Sequence, residues 1–306
     1  VLACVIWGLS VFYYKFLDQI PPLEILAHRA FWSMVFFSII LLFRRESSKV
    51  FENILNWNSL RVYILATFLI SINWFGFIFS IQVNQVTQSS FGYFVFPIVA
   101  VFLGFFFNKE KFSPLQTLSI ILAIIAIILL GIGLGKFPFI SILLATTFGF
   151  YGLIKGRISH NPIISVATET TLIAPIALLY LLYIRLPYQG SGFSFGYSIS
   201  ELALLVASGL LTALPLVLFS NAVQSLRYST VGLINYVNPT LQFLIAVFIL
   251  AEEFGYTSFV AFFLIWVGLI FYSYEAFRLE SNKIDKASLI CKTSAVSIIS
   301  CVVAPQ

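Results

Sequence analysis

Charge is scarce in this sequence. Only 9% of its 306 residues are Asp, Glu, Lys or Arg, against about 25% in a typical soluble domain. Hydrophobic residues make up 60% of the chain, and the mean hydropathy is +1.01. Backbone amides that face lipid must be satisfied inside helices or closed barrels. The apolar runs are about 20 residues long and do not alternate, which predicts an all-α integral membrane protein.

Cysteine and histidine are also rare. The three cysteines (Cys4, Cys291 and Cys301) have neither metal-ligand nor CxxC spacing, and the two histidines (His28 and His160) are far apart. We therefore predict no metal or redox site and no cofactor. The sequence has no GxxxxGK[ST] motif, so we expect energy from a gradient or from exchange rather than from a nucleotide.

Ten membrane-spanning helices are predicted from the apolar runs. Their expected ranges are 1–17, 23–43, 61–83, 86–107, 113–133, 138–155, 163–184, 199–223, 229–251 and 257–275. The sequence begins at Val1 inside the first of these helices, so we expect the natural N-terminus to lie upstream. Residues 276–306 are expected to form a poorly ordered cytoplasmic tail.

The basic residues predict the orientation of these helices. With the N-terminus in the cytoplasm, 13 of the 17 Lys and Arg residues fall in inside segments, 3 fall in outside segments, and Arg29 lies within a span. Such a bias predicts that both termini are cytoplasmic. The pI is about 9.1, but the basic residues punctuate the apolar runs instead of clustering, so no nucleic-acid partner is expected.

Two stretches of the chain share the same spacing of a proline and a glutamate. Each opens on a proline and closes on a glutamate 13 positions later, from Pro97 to Glu110 and from Pro239 to Glu252. This echo predicts two repeats, over 1–133 and 138–275. Five helices per repeat is an odd number, so the second repeat must be inverted in the membrane. The basic-residue counts of all four pairs of equivalent loops differ in the direction that inversion requires.

Several short motifs resemble the EamA family of the drug/metabolite transporter superfamily over residues 1–275. They are Trp7-Gly8, Tyr14-Lys15, the run from Glu24 to Arg29, Trp32-Ser33, Asn73-Trp74, Gly92-Tyr93-Phe94, Pro97, Pro239-Thr240 and the run from Phe263 to Val267. The resemblance implies two inverted five-helix repeats, a bacterial inner-membrane location, and export or exchange of small molecules. It also implies a central cavity built from predicted helices 1, 3, 4, 6, 8 and 9.

Three positions depart from the family pattern. Phe96 stands where members tend to have Asn, while Lys109 and Ala251 stand where they tend to have Gly. The first change puts an asparagine contact with substrate in repeat 1 in doubt.

Ionisable residues inside spans are the sharpest candidates, because each is costly in hydrocarbon unless it is paired or hydrated. Arg29 and Glu169 are related by an offset of 140, and we hypothesise that they face the cavity and bind substrate or each other. The alternative is a structural ion pair, or an Arg29 that snorkels to the interface; the implied cavity places their helices at its rim. His28 and Glu169 are candidates for proton coupling, although a lone His with no nearby Asp fits a neutral, hydrogen-bonded residue better.

Polar and aromatic residues supply the other cavity candidates. Asn235, Asn238 and Gln242 lie on one face of a predicted helix beside Pro239, where a carbonyl without its helical partner is expected. Predicted helix 4 has a similar but less polar set that includes Tyr93 and Pro97. Interhelical packing is the alternative.

Candidates for stacking on an aromatic ligand are Trp7, Tyr14, Asn73 with Trp74, and Tyr151, although ordinary packing explains most aromatic residues here. Glu110 and Glu252 are expected to cap helices or anchor a gate.

The predicted function is a secondary transporter of small drug-like molecules or metabolites that works by alternating access. Its expected partners are a small-molecule substrate and membrane lipid; the sequence does not predict the oligomeric state. The alternatives are a polytopic membrane enzyme, which needs a cluster of acids, histidines or metal ligands, and a non-transporting assembly protein.

Overall fold

The computed structural model describes residues 1–134, 139–184, 198–249, 255–257, 259–275 and 278. Within these ranges every regular element is a helix and no strand occurs, in agreement with the all-α prediction. The helices are α1 (Leu2–Lys15), α2 (Pro22–Arg44), α3 (Ser47–Leu55), α4 (Trp57–Gln82), α5 (Val86–Asn108), α6 (Pro114–Leu134), α7 (Phe139–Arg157), α8 (Pro162–Tyr183), α9 (Ile199–Ser225), α10 (Tyr228–Ile234), α11 (Val237–Phe248) and α12 (Phe259–Glu275).

Six of the described helices are long and apolar enough to cross a membrane. They are α2, α4, α5, α7, α8 and α9. Shorter apolar helices are α1, the Pro114–Leu129 part of α6, and α12. A multi-pass membrane protein follows from these helices, while ten spans in two inverted repeats remain a prediction.

The segment between α2 and α4 is more helical than the sequence suggested. The prediction of a loop over about 44–60 was wrong, because α3 occupies Ser47–Leu55. Helix α4 then begins at Trp57, because the Asn56 side chain accepts hydrogen bonds from the backbone N–H groups of Asn58 (3.0 Å) and Ser59 (3.3 Å). This N-cap satisfies amides that would otherwise lack partners.

The predicted helix over 229–251 is broken into α10 and α11. Helix α10 ends at Ile234 with Asn235 as its C-cap, and α11 starts at Val237. Pro239 explains the break, because proline has no N–H and its ring conflicts with the carbonyl four residues earlier, which is that of Asn235. By contrast, Pro97 lies inside an unbroken α5. Glu252 lies outside the described residues.

The chain divides into two compact units. The first comprises Val1–Glu110 with Leu130–Gly255, and the second comprises Lys111–Leu129 with the chain from Tyr256 onward. This division does not follow the predicted repeats, so domains over 1–133 and 138–275 remain a prediction. The predicted tail, 276–306, lies outside the described residues except for Arg278.

In the second unit, α6 and α12 approach closely. A Cβ placed on Gly268 would lie only 3.2 Å from the carbonyl oxygen of Ser119. Small residues at such a crossing let helix backbones pack closely, as membrane helices often do.

The core of the first unit is aromatic. The Phe148 ring lies 4.8 Å from the centroids of both Phe96 and Phe219, and 5.5 Å from that of Trp7. These tilted and edge-to-face contacts are the favoured geometries for aromatic pairs. They join α1, α5, α7 and α9 into one body, and they fix one end of the cleft described next.

Candidate functional site

A cleft opens among seven helices of the first unit: α1, α2, α4, α5, α7, α9 and α11. Its lining is aromatic and polar: Trp7, Ser10, Tyr14, Arg29, Asn73, Trp74, Phe77, Tyr93, Phe148, Leu211, Asn238 and Gln242. The cleft contains about 450 Å³ of empty space, but the centre of a water molecule can occupy only about 30 Å³ of it. Since one water needs about 10–15 Å³ by that measure, the cleft is narrow in this conformation.

Arg29 brings a positive charge into this cleft. Its guanidinium lies 4.4 Å from the centroid of the Trp74 ring and 5.5 Å from that of Tyr14, so both rings hold the cation by cation–π attraction. Nε donates a hydrogen bond of 2.9 Å to Oγ1 of Thr212. The residue is only 4% exposed, yet Nη1 has no acceptor among the described residues.

Asn73 organises one wall of the cleft. Its Nδ2 donates to the carbonyl of Leu144 (2.9 Å) and to Oγ1 of Thr147 (3.1 Å), and its Oδ1 accepts from the Tyr93 hydroxyl (3.2 Å). These bonds tie α4 to α5 and α7. Both protons of the amide are engaged by the protein, so Asn73 acts here as a positioning residue for Tyr93.

Another part of the lining carries a pair of amide side chains from α11. Gln242 donates from Nε2 to Oδ1 of Asn238 (2.9 Å), and its Oε1 accepts from the Ser90 hydroxyl (3.3 Å). The predicted polar helix face is therefore only partly at the cleft. Asn235 lies instead at the break before α11, where it lines a separate pocket beside Cys4 and accepts a weak hydrogen bond from its thiol.

A second buried charged centre lies between α7 and α8, outside the cleft lining. Nζ of Lys155 is 2.8 Å from Oε1 of Glu169 and donates to the Ser165 hydroxyl at 2.5 Å. The Tyr151 hydroxyl donates to Oε2 of Glu169 at 3.0 Å. The lysine side chain is 0% exposed and the glutamate 3%, so this is a closed ion pair.

This centre corrects two sequence-based interpretations. The structure pairs Glu169 with Lys155 and not with Arg29, because the tight turn between α7 and α8 brings the lysine against the glutamate. Lys155 ends the predicted helix 138–155, where a lysine is expected to meet water, yet it lies buried within α7. Tyr151 belongs to this centre, and the buried His28 of α2 is likewise absent from the cleft lining.

Glu110 connects the end of α5 to the start of α10. Its carboxylate accepts hydrogen bonds from the backbone N–H groups of Tyr228 (2.9 Å) and Ser229 (3.4 Å), and from the Ser229 hydroxyl. Arg227 approaches it at 3.8 Å. A carboxylate at a helix N-terminus satisfies free amides and complements the helix dipole, so Glu110 holds the first turn of α10.

Sequence reasoning missed several cleft residues. Ser10, Phe77 and Phe148 line it beside the predicted candidates, and Thr212 orients Arg29 from α9. Helical spacing carried a usable signal, because Ser10 lies three residues from Trp7 and Phe77 lies four from Asn73.

Comparison with known proteins gives a consistent result. Residues 1–132 match the model of the EamA-like transporter family. The chain is 37% identical to the "Uncharacterized transporter YojE" of Bacillus subtilis, over 89% of this chain and 91% of that protein. It is 34% identical to "Protein RarD" of Escherichia coli, over 89% and 91%, and 24% identical to the "Chloramphenicol-sensitive protein RarD" of Pseudomonas aeruginosa, over 87% and 89%.

A solved crystal structure of another protein shares the fold. It superposes with a TM-score of 0.66 at 14% identity, and the match covers 90% of this chain and 96% of that chain.

Proposed function

Because the chain belongs to the EamA-like transporter family, we propose that it carries small organic molecules across the bacterial inner membrane through the cleft beside Arg29. The observation that carries this proposal is the cleft itself. It gathers aromatic, amide and cationic side chains from six helices. Concave sites of this kind, mostly apolar with a few placed polar groups, are typical of small-molecule binding.

The proposed mechanism is alternating access between two inverted repeats of five helices. The repeated Pro-to-Glu spacing and the charge bias of equivalent loops support this arrangement. The break between α10 and α11 supports it as well, because interrupted helices commonly line transport sites. A cleft with so little room for water must widen to admit a ligand, so binding requires a conformational change.

Counterflow in liposomes tests the transport proposal. Purified protein is reconstituted into liposomes, and the liposomes are loaded with unlabelled chloramphenicol or phenylalanine. Uptake of the same compound in labelled form is then followed with and without a pH gradient. We expect uptake of at least one probe above that of protein-free liposomes. No uptake of either probe would argue against a carrier of small aromatic molecules.

A matched pair of variants on α4 links transport to the cleft. Asn73→Ala removes the amide that holds Tyr93, and a lost buried hydrogen bond costs about 1–3 kcal/mol, so we expect about a tenfold lower rate. Asn58→Ala alters an exposed amide of the same helix and should leave the rate unchanged. Equal rates in the two variants contradict the role of the cleft.

Accessibility labelling tests the inverted repeats. Single cysteines are placed after Phe43 and after Ile184, in a background without the natural cysteines, and labelled with an impermeant reagent in intact cells. Inversion predicts that the two positions are labelled from opposite sides of the membrane. Labelling of both from one side excludes the proposed topology.

A further inference from the structure

Among the described residues, no acid forms an ion pair with Arg29. We propose that its partner is the substrate, and that the cleft recognises an organic anion: a small carboxylate with a flat aromatic or unsaturated body. This inference rests on the proposed transport function and names the chemistry of the molecule carried. It follows from the contacts, the charge balance and the walls of the cleft.

The geometry of Arg29 leaves its donors available to a ligand. Trp74 covers a face of the guanidinium at 4.4 Å, and Nε is fixed by Thr212. The buried Nη1 has no acceptor among the described residues. Arginine presents its donors in a planar fork that matches a carboxylate. A fork that is oriented by the protein and still unfilled is suited to bind one.

The charge balance of the cleft points the same way. Among the described residues that line the cleft, Arg29 alone is charged. Glu169, the buried acid of α8, is already paired with Lys155. A buried cation without a counter-ion is costly in a protein interior and in a membrane. A bound anion removes that cost, whereas a neutral ligand does not.

The walls of the cleft select the body of the anion. Aromatic rings of Trp7, Tyr14, Phe77 and Tyr93 surround the space next to the guanidinium, and flat unsaturated groups pack well against such rings. An inorganic anion would leave these surfaces without contacts. The centre of a water molecule can occupy only about 30 Å³ of the cleft, so the body is small and the cleft must widen to bind it.

Calorimetric titration of the purified chain in detergent tests the inference. The probes are cinnamate, its neutral amide cinnamamide, acetate and chloride. A hydrogen-bonded charge pair should favour cinnamate over cinnamamide by about tenfold or more in Kd. Acetate and chloride, which lack the flat body, should bind more weakly than cinnamate.

Two arginines of α2 provide matched variants. Arg29→Gln should remove the preference for cinnamate over cinnamamide, whereas Arg44→Gln, at the exposed end of the same helix, should preserve it. Arg29→Lys keeps the charge without the planar fork, so it should bind cinnamate more weakly and still prefer it. If Arg29→Gln does not fold, Arg29→Lys still shows whether the positive charge sets the preference for cinnamate over cinnamamide.

The possible results separate the two proposals. Equal binding of cinnamate and cinnamamide by the natural sequence, or a preference that survives Arg29→Gln, overturns the anion inference and leaves transport intact. If chloride binds as tightly as cinnamate, the inference that the ligand has a flat organic body is wrong. An anion preference in protein that moves no labelled cinnamate in liposomes overturns transport and leaves anion binding standing.

Discussion

The buried pair between Lys155 and Glu169 allows a quantitative prediction. Its atoms are 2.8 Å apart, and the two side chains are 0% and 3% exposed. Lys155→Met removes the cation and keeps the length of the side chain, while Glu169→Gln removes the anion and keeps its shape. The two single variants and the double variant form a cycle that isolates the interaction between the side chains.

The size of the effect follows from burial. Each single change leaves a charge without its partner in the interior, which costs about 3–5 kcal/mol of stability. The double variant buries no charge, and Tyr151 can still donate to the amide oxygen of residue 169, so it should lose only about 1–2 kcal/mol. The coupling free energy should therefore be at least about 4 kcal/mol, with the double variant more stable than either single one.

An exposed pair at the same distance supplies the control. Lys49 and Glu46 are also 2.8 Å apart, but their side chains are 52% and 20% exposed. Hydrogen bonds from Lys49 and Arg44 lower the pKa of Glu46, so it is ionised at neutral pH. Exposed pairs are screened and are worth about 0–1 kcal/mol. Lys49→Met and Glu46→Gln should therefore show little coupling.

Unfolding in mixed micelles of dodecyl maltoside and SDS, followed by circular dichroism, measures both cycles. The prediction concerns differences in unfolding free energy between variants, so the contribution of the SDS-unfolded state largely cancels. Additive effects at Lys155 and Glu169 within about 0.5 kcal/mol would refute the closed ion pair. A coupling no larger than that of the exposed pair would do the same.

Two further changes test the packing. Gly209→Ala should lower stability by about 1–3 kcal/mol, because its Cβ would lie 2.6 Å from the backbone carbon of Trp32 and force α2 away from α9; thermal unfolding measures the loss. Glu110→Ala should cost about 0.5–2 kcal/mol as a lost helix cap and should speed hydrogen exchange at the amide of Tyr228, which donates to that carboxylate.

Each of these changes has its own control. Gly131→Ala is the counterpart of the glycine change, because a Cβ there would find its nearest neighbour at an ordinary 3.8 Å; equal losses in the two variants would show that crowding is not the cause. Glu52→Ala removes an exposed acid from α3. If it speeds exchange in α10 as much as Glu110→Ala does, the cap is not responsible.

Much of the helical architecture could be predicted from the sequence. Long apolar runs with few charges are predictive because lipid leaves the backbone few alternatives to a helix. Trp7, Tyr14, Asn73 and Trp74, which the sequence offered as candidates, line the same cleft, and their role in binding stays a prediction. The family assignment itself was confirmed by the relatives.

What the sequence did not predict depends on contacts between helices. Lys155 stands at the end of a predicted span, where a lysine normally meets water, and only the packing of α8 against α7 shows that it is buried beside Glu169. Equivalent positions in the two predicted repeats did not predict which charged residues are in contact. The offset of 140 related Arg29 to Glu169, but equivalent positions in a duplicated fold need not be in contact.

Arg29 and Lys155, two buried cations of the first unit, show why burial alone does not mark a binding site. Lys155 is the more buried cation, yet the protein supplies its counter-ion and a hydroxyl acceptor, so no charge is left for a ligand to meet. Arg29 receives one hydroxyl and two aromatic faces, which orient the guanidinium without neutralising it. A buried ion that is positioned but not neutralised is the stronger indication of a ligand site, because binding then relieves a cost that folding left in place.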